Sequence, residues 1–190
     1  KPKGVMHGFK QMTTATHGII EALAFTENDR CLSYLPLAHV FERAYISCTS
    51  MVAGTHLFFA ESLVTFVQDL QRARPTLFIS VPRLWLKFQL GVFQKMPPKK
   101  LSMLLKIPIL NNIVRKKVLT GLGLQDVRLA GSGSAPIPAN LIAWYRSLGL
   151  NLLEGYAMSE DFAYSHLSTV EHNEPGYVGV PYAEVLVRLS

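Results

Sequence analysis

The sequence predicts an α/β protein with mostly parallel β-sheet layers flanked by helices. Short apolar segments typical of strands alternate with segments whose apolar residues recur at helical spacing. A strand-then-helix succession of this kind favours a mostly parallel sheet. The chain has 190 residues, 49% of them apolar, so it can bury one sizeable core or form one large piece of a bigger domain. In such sheets ligands bind beyond the carboxyl ends of the strands.

The first half of the chain is predicted to alternate helices and strands. The first helix carries Ile19, Ile20 and Leu23 on one side. Ser62 is a predicted helix N-cap, and the apolar residues that follow, from Leu63 on, recur at helical spacing. The predicted helices are 11–24, 41–52, 62–74 and 83–94, and the predicted strands are 31–37, 55–59 and 76–81.

The second half continues the alternation. Residues 101–119 combine apolar and basic side chains and are broken by Pro108. Pro138 is expected in the first turn of a helix that runs to residue 148. The predicted strands are 127–130, 151–153 and 185–189. Glycine-rich or polar turns directly follow the first two of these, which places them where a ligand would bind.

The basic residues are unevenly distributed. The chain has a formal net charge of +6, yet no Asp or Glu lies between Leu70 and Gln125, a stretch that holds 11 of the 19 Lys and Arg residues. A partner with negative charge is therefore expected for this basic block. For residues 99–117 we consider two interpretations, an element that lies on an anionic membrane surface and a core-facing helical pair with a solvated basic rim.

Other features limit the class of protein. Cys31 and Cys48 lack metal-type spacing, so we expect two reduced core thiols and a cytoplasmic location, with peripheral attachment at the inner membrane surface as an alternative. No apolar run reaches the length of about 18 residues needed to span a bilayer. The chain begins Lys1-Pro2-Lys3-Gly4 without a signal-peptide pattern, which we interpret as a cut from a longer protein.

Three segments carry residue types suited to a phosphate-bearing ligand. Lys3 lies beside a glycine, where a flexible loop can bring an ammonium onto a phosphate. The small residues from Gly131 to Pro136 allow the backbone to approach a flat ligand closely. Each also has an ordinary interpretation, a solvated loop for the first and a strand-to-helix connection for the second.

The third segment, 152–160, ends in three polar groups. Tyr156 offers a ring face for stacking on a base. Ser159 offers a hydroxyl near phosphate oxygens, and Glu160 offers a hard oxygen ligand suited to Mg²⁺. The alternative is a surface turn with Ser159 as a helix N-cap and Glu160 in the first turn.

Five segments, in this order, resemble the adenylate-forming superfamily, which includes acyl-CoA synthetases, peptide-synthetase adenylation domains and luciferases. They are KPKGVMH, YLPLAHVFER, GSGSAPIP, EGYAMSE and GYVGVP, at residues 1–7, 34–43, 131–138, 154–160 and 176–181. The second segment is similar to long-chain fatty-acid CoA ligases in particular. The resemblance covers essentially all 190 residues. Ala157 stands where the family usually has glycine, and Ser159 where threonine is commoner.

The resemblance implies a central fragment, residues 1–190, of the large adenylating domain, without the small C-terminal domain. It implies ATP-dependent activation of a long-chain fatty acid to an acyl-adenylate, followed by thioester formation with coenzyme A, with ATP and Mg²⁺ as cofactors. The implied catalytic residues are Glu160, which also coordinates the metal, Ser159, His39 and Lys3. The implied nucleotide-binding residues are Gly131, Gly133, Ser134, Ala135, Pro136, Gly155, Tyr156, Ala157 and Met158.

Other functions stay open at this point. The acyl substrate could be another carboxylic acid, the acceptor could be a carrier protein, or the chain could be a non-catalytic piece that binds nucleotide or membrane. The partners we expect are fatty acid, ATP and coenzyme A, with no nucleic acid. The fragment alone is expected to turn over little or nothing, and its exposed edges favour self-association.

Overall fold

The computed structural model describes residues 3–188 and has the α/β architecture that the sequence predicts. Strands and helices alternate along most of the chain, as the hydrophobic pattern requires. The strands are β1 (Arg30–Ser33), β2 (His56–Phe59), β3 (Leu77–Ser80), β4 (Leu129–Ser132), β5 (Leu152–Tyr156), β6 (His166–Leu167) and β7 (Val180–Pro181). The helices are α1 (Phe9–Leu23), α2 (Thr49–Ala53), α3 (Phe66–Ala73), α4 (Pro82–Lys95), α5 (Pro98–Leu105), α6 (Pro108–Leu122) and α7 (Ala139–Ser147), with a π-helix at Glu42–Cys48 leading into α2.

The strands form a parallel centre with an antiparallel edge. β3, β4 and β5 are adjacent and parallel, whereas β6 and β7 add antiparallel to β5 in the order β3-β4-β5-β6-β7. β1 and β2 form a separate parallel pair, joined to the start of β3 by the Thr76 amide, which donates to the carbonyl oxygen of Arg30 across 3.0 Å. The prediction of a mostly parallel sheet is therefore confirmed.

Two hydrophobic clusters contain alternate residues of β3. Phe78 belongs to one cluster with Trp85 and Tyr145, and Leu77 and Ile79 belong to the other, with side chains of α1 and the π-helix. Because successive side chains of a strand point to opposite faces, this division corresponds to one helical layer on each side of the sheet.

An ion pair links the chain just before β4 to the chain just before β1. Arg128, just before β4, donates to both carboxylate oxygens of Asp29, just before β1. Burial alone would raise the pKa of Asp29, but hydrogen bonds from Arg128, Thr76 and the backbone of Thr26 outweigh it and lower that pKa to about 2. Asp29 is therefore ionised in the folded protein at neutral pH.

Several sequence-based boundaries are wrong. Ser62 is not a helix N-cap, because α3 begins at Phe66. The Ser62 hydroxyl instead accepts the Thr65 amide in a preceding turn, which leaves Leu63 80% exposed. The strand predicted at 31–37 ends at Ser33. Residues 185–188 form no strand, and residue 189 of that prediction lies outside the described residues.

The segment predicted as a helix at 41–52 begins in a π-helix, a geometry that a helical sequence pattern does not distinguish from α. The predicted break at Pro108 is confirmed, because α5 ends at Leu105 and α6 begins at Pro108, whose missing amide is tolerated in a first turn. Between residues 3 and 188, no helix is long and apolar enough to cross a bilayer.

Candidate functional site

A cleft opens at the carboxyl ends of β4 and β5. Residues from three of the segments singled out in the sequence line it, including Gly133 and Ser134 after β4, Tyr156 and Ala157 at the end of β5, and Phe41 at the start of the π-helix. This is the edge of a parallel sheet at which ligands bind in open α/β folds. The two loops that the sequence analysis expects at one site therefore lie side by side.

Gly131 lies within β4 rather than in the predicted turn. Its carbonyl oxygen accepts a hydrogen bond from the Trp85 indole nitrogen across 3.1 Å. A Cβ added at this position would lie 2.9 Å from Cγ2 of Ile79 on the neighbouring strand. The glycine is thus required by close packing between β3 and β4, in addition to its place on the cleft.

The loop after β4 leaves the strand in an unusual backbone conformation. The Gly133 amide donates to the carbonyl oxygen of Ser80, and Ser134 adopts a left-handed backbone with φ of 69°. A Cβ on Gly133 would be 3.5 Å from the carbonyl oxygen of Gly155, so the backbone of this loop lies almost in contact with the end of β5. Ala135 and Pro136 are exposed and do not line the cleft.

Tyr156 is the last residue of β5 and presents its ring to the cleft. The turn predicted directly after residue 153 begins later, because Gly155 and Tyr156 continue the strand and pair with Leu167 and His166. The Tyr156 side chain is 50% exposed, with the His166 ring edge-on at 6.1 Å. A flat ligand could therefore stack on the Tyr156 ring without displacing core side chains.

The residues after β5 form a compact turn and not a helix, so the alternative of a helix N-cap at Ser159 is wrong. Asp161 stabilises this turn, since its Oδ1 accepts the amides of Met158 and Tyr164. Phe162 and Ala163 both adopt left-handed backbone, and Phe162 is buried beneath the turn. Ser159 and Glu160 are exposed at the surface of this turn, outside the lining of the cleft.

His7 connects the amino-terminal segment to this turn. Its Nε2 donates to the carbonyl oxygen of Ser159 across 2.7 Å, and its ring packs edge-on against Phe162 at 5.1 Å. His7 belongs to the KPKGVMH segment, but no sequence pattern predicts this role for it. Lys3, four residues earlier, is exposed, and Lys1 and Pro2 of the same segment lie outside the described residues.

His39 lies beside the cleft without lining it. Its Nδ1 accepts the Phe41 amide across 3.3 Å, and the residues that follow, Val40, Phe41 and Tyr45, line the cleft. The Tyr45 hydroxyl is hydrogen-bonded to that of Tyr182 at 2.8 Å, and burial raises the pKa of Tyr45. Tyr45 therefore lines the cleft with an uncharged side chain.

Two buried carboxylates that the sequence analysis missed support the site. Glu42, in the π-helix, is fully buried and accepts the Leu35 amide through Oε2. Glu154, in β5, accepts the Gly176 amide at 3.2 Å and so holds the GYVGVP segment next to β5. No sequence pattern reveals the role of these two side chains, because a carboxylate that accepts a backbone amide has no fixed sequence separation from that amide.

The described residues contain no cluster of three or more His, Cys, Asp or Glu side chains suited to a metal. Glu160 is a single exposed carboxylate. One carboxylate is nevertheless compatible with Mg²⁺, which commonly takes one or two carboxylates and completes its coordination with substrate phosphates and water. The donor set thus fits a metal that arrives with a nucleotide better than one that resides in the protein.

Known protein families and curated proteins resemble this chain in sequence. A family described as AMP-binding enzyme matches residues 1–190. Long chain acyl-CoA synthetase 5 of Arabidopsis thaliana is 30% identical, over 100% of this chain and 32% of its own length. The chain therefore spans about a third of the length of the curated relatives it matches.

Solved structures share the fold. The N-terminal domain of FACL13 from Mycobacterium tuberculosis has a TM-score of 0.71 at 21% identity, covering 96% of this chain and 41% of that one. The A domain of carboxylic acid reductase from Segniliparus rugosus, in complex with AMP and a co-purified carboxylic acid, has a TM-score of 0.61 at 27% identity. That match covers 83% of this chain and 26% of the reductase chain.

Proposed function

This chain belongs to the AMP-binding enzyme family, and from that premise we propose that it carries the nucleotide-binding part of an adenylate-forming ligase. The proposed reaction activates a carboxylic acid with ATP to an acyl-adenylate and then transfers the acyl group to the thiol of coenzyme A. Long-chain fatty acids are the proposed substrate class, supported by the names of relatives such as the Arabidopsis synthetase.

The observation that carries the proposal is the approach of the loop after β4 to the end of β5. The two backbones meet at Gly133 and Gly155, with the exposed Tyr156 ring beside them. In the proposed complex the adenine lies between this ring and the backbone of Gly133 and Ser134, which line the cleft. Such an arrangement requires small residues on one side and an aromatic face on the other.

The phosphates are proposed to extend toward the turn that carries Ser159 and Glu160. Two anions approach each other in the first step, because the substrate carboxylate attacks the α-phosphorus and pyrophosphate leaves. Mg²⁺ bound with the nucleotide would lower this repulsion. Glu160 would hold the metal, Ser159 would contact a phosphate oxygen, and Lys3 would neutralise the departing pyrophosphate.

The acyl group is proposed to enter from the side of the π-helix. Val40, Phe41 and Tyr45 give this wall of the cleft an apolar surface with no ionised group. His39 lies at the end of that wall, where a hydrogen bond could orient the substrate carboxylate. This assignment is supported by the position of residues 40–45 on the cleft.

The complete reaction is proposed to need more of the protein than these residues. The chain spans about a third of its curated relatives, and residues 1–190 are proposed to form the central part of the adenylating domain. The 190-residue chain alone is then expected to bind nucleotide but to produce little or no acyl-CoA.

The test is ATP–pyrophosphate exchange by the full-length protein with acids of different length. Exchange that depends on a long-chain fatty acid supports the proposal in full. Exchange with an aromatic or short acid alone would keep the adenylation chemistry and reject the long-chain substrate. A protein that binds ATP but exchanges no pyrophosphate with any acid would reject the enzymatic function.

A further inference from the structure

Helices α5 and α6 project a surface that the proposed reaction does not use. Of residues 98–122, only Leu101 and Leu122 are buried. Val118 and Leu119 pack partly against the core, so one side of the pair faces inward as one of the two interpretations expected. The other side is largely exposed and carries large apolar side chains, among them Ile109 and Ile113.

These apolar side chains are concentrated where α5 meets α6. Ile109 is 80% and Ile113 60% exposed, and several exposed apolar side chains close together are typical of an interaction surface. Ile109, Ile113 and Lys116 share one face of α6, because they are spaced four and three residues apart. The exposed apolar residues of the pair are Met103, Ile107, Ile109, Leu110 and Ile113, and we call them the tip.

The two helices that carry the tip have positively charged side chains and no negatively charged ones. No Asp or Glu occurs between Leu70 and Gln125, so neither helix contains an acidic residue. Within residues 3–188, none of the lysines of this pair forms a salt bridge. The exposed lysines are Lys99, Lys100, Lys106, Lys116 and Lys117.

From this arrangement we propose that the tip docks into the surface of an anionic lipid bilayer, with Ile109 and Ile113 inserted and the lysines on lipid phosphates. The lysines favour an anionic bilayer over a protein partner as the surface that binds the tip. An apolar protein partner would cover the tip but leave five lysines without counter-charges, whereas an anionic bilayer supplies an apolar interior and phosphates together. Both helices are too short and too polar to cross a bilayer, so the contact is interfacial.

The inference is independent of the proposed reaction, since it uses no residue of the cleft. Its test is co-sedimentation of the chain with vesicles of phosphatidylcholine alone or with about 30 mol% phosphatidylglycerol. We expect binding to be at least about tenfold stronger on the anionic vesicles. We also expect it to weaken steeply between about 0.05 M and 0.5 M salt, because added ions screen the lysines.

Two sets of variants separate the apolar and electrostatic contributions. Ile109→Ser with Ile113→Ser removes the inserted groups. Lys106→Glu with Lys116→Glu should weaken binding to anionic vesicles by roughly fivefold or more per lysine. Because all four positions are exposed, folding should be unaffected, and circular dichroism checks this. Leu63→Ser with Val64→Ser, and Lys10→Glu, are the matched controls, since these residues are equally exposed but lie outside the helical pair.

The proposal is overturned by equal binding to neutral and anionic vesicles, or by tip variants that bind like the controls. It is also overturned if the chain does not bind vesicles but forms a dimer that the Ile109 and Ile113 changes dissociate, since the tip would then pair two copies of the chain.

Discussion

The His7 imidazole donates a hydrogen bond to the carbonyl oxygen of Ser159 across 2.7 Å, although the two residues are 152 positions apart. The bond fixes the amino-terminal segment, which carries Lys3, against the turn that carries Glu160. The proposed phosphate-binding groups therefore depend on a contact that neither segment could form alone.

Replacing His7 should weaken nucleotide use more than it weakens folding. His7→Phe keeps the packing on Phe162 but removes the donor, so we expect the KM for ATP in pyrophosphate exchange to rise roughly tenfold, with a loss of about 1 kcal/mol in unfolding free energy. His7→Gln, which keeps a donor, should restore part of the KM. His56→Phe at an exposed position is the control, and an unchanged KM in His7→Phe would show that the contact is only structural.

Glu160→Gln tests the metal-binding role. The amide keeps the size of the side chain but removes the charge that would hold Mg²⁺, so the exchange rate of the full-length protein should fall by roughly a hundredfold or more. Raising the Mg²⁺ concentration should recover part of the loss. Glu171→Gln, another exposed carboxylate, should behave as wild type. Exchange at the wild-type rate in Glu160→Gln would contradict the assignment.

Gly131→Ala should destabilise the chain because β3 lies too close. The new Cβ would approach Cγ2 of Ile79 at 2.9 Å, and relieving this overlap should cost about 1–3 kcal/mol in urea unfolding. Gly91→Ala is the matched control, since α4 leaves open space there and alanine favours a helix by about 1 kcal/mol. Equal stability of the two variants would show that β3 and β4 are not packed as described.

Asp29 should make stability depend on pH in the acid range. Its pKa is lowered to about 2 in the folded chain, against an ordinary value near 3.8 when unfolded. A lowered pKa means that the stabilisation is fully present above pH 4 and is lost as pH falls from about 4 to 2. The loss should be about 2 kcal/mol at most.

Asp29→Asn should flatten this part of the profile of unfolding free energy against pH, whereas Glu174→Gln at an exposed position should leave it unchanged. A profile in Asp29→Asn with the same slope as wild type would show that Arg128 does not hold the carboxylate ionised.

The sequence predicts the layers of this fold better than the limits of its elements. The alternation of apolar periodicity predicts most of the helices and the parallel centre, because burial on one or both faces sets those patterns. Ser62 illustrates why the limits of elements are predicted less well. A serine before an apolar run satisfies the N-cap pattern equally well when it caps a turn, and only packing decides that the helix begins four residues later.

The candidate site is likewise predicted from the sequence only in part. The sequence predicts that residues after β4 and at the end of β5 share one site, and Gly133 and Tyr156 do line one cleft. His7, Glu42 and Glu154 are not predicted, because each binds a backbone group elsewhere in the sequence, at separations of 152, 7 and 22 positions. Their partners are main-chain atoms, which every residue has, so no side-chain pattern in the sequence can reveal them.

The most direct measurement is photolabelling of the chain with 8-azido-ATP followed by peptide mapping. If the loops after β4 and β5 share one adenine, label should appear both within residues 131–136 and within residues 155–160, and excess ATP should remove it from both. Tyr156→Ala should lower labelling of both segments together. Label that falls mainly elsewhere, or on one segment with no change in Tyr156→Ala, would contradict the account.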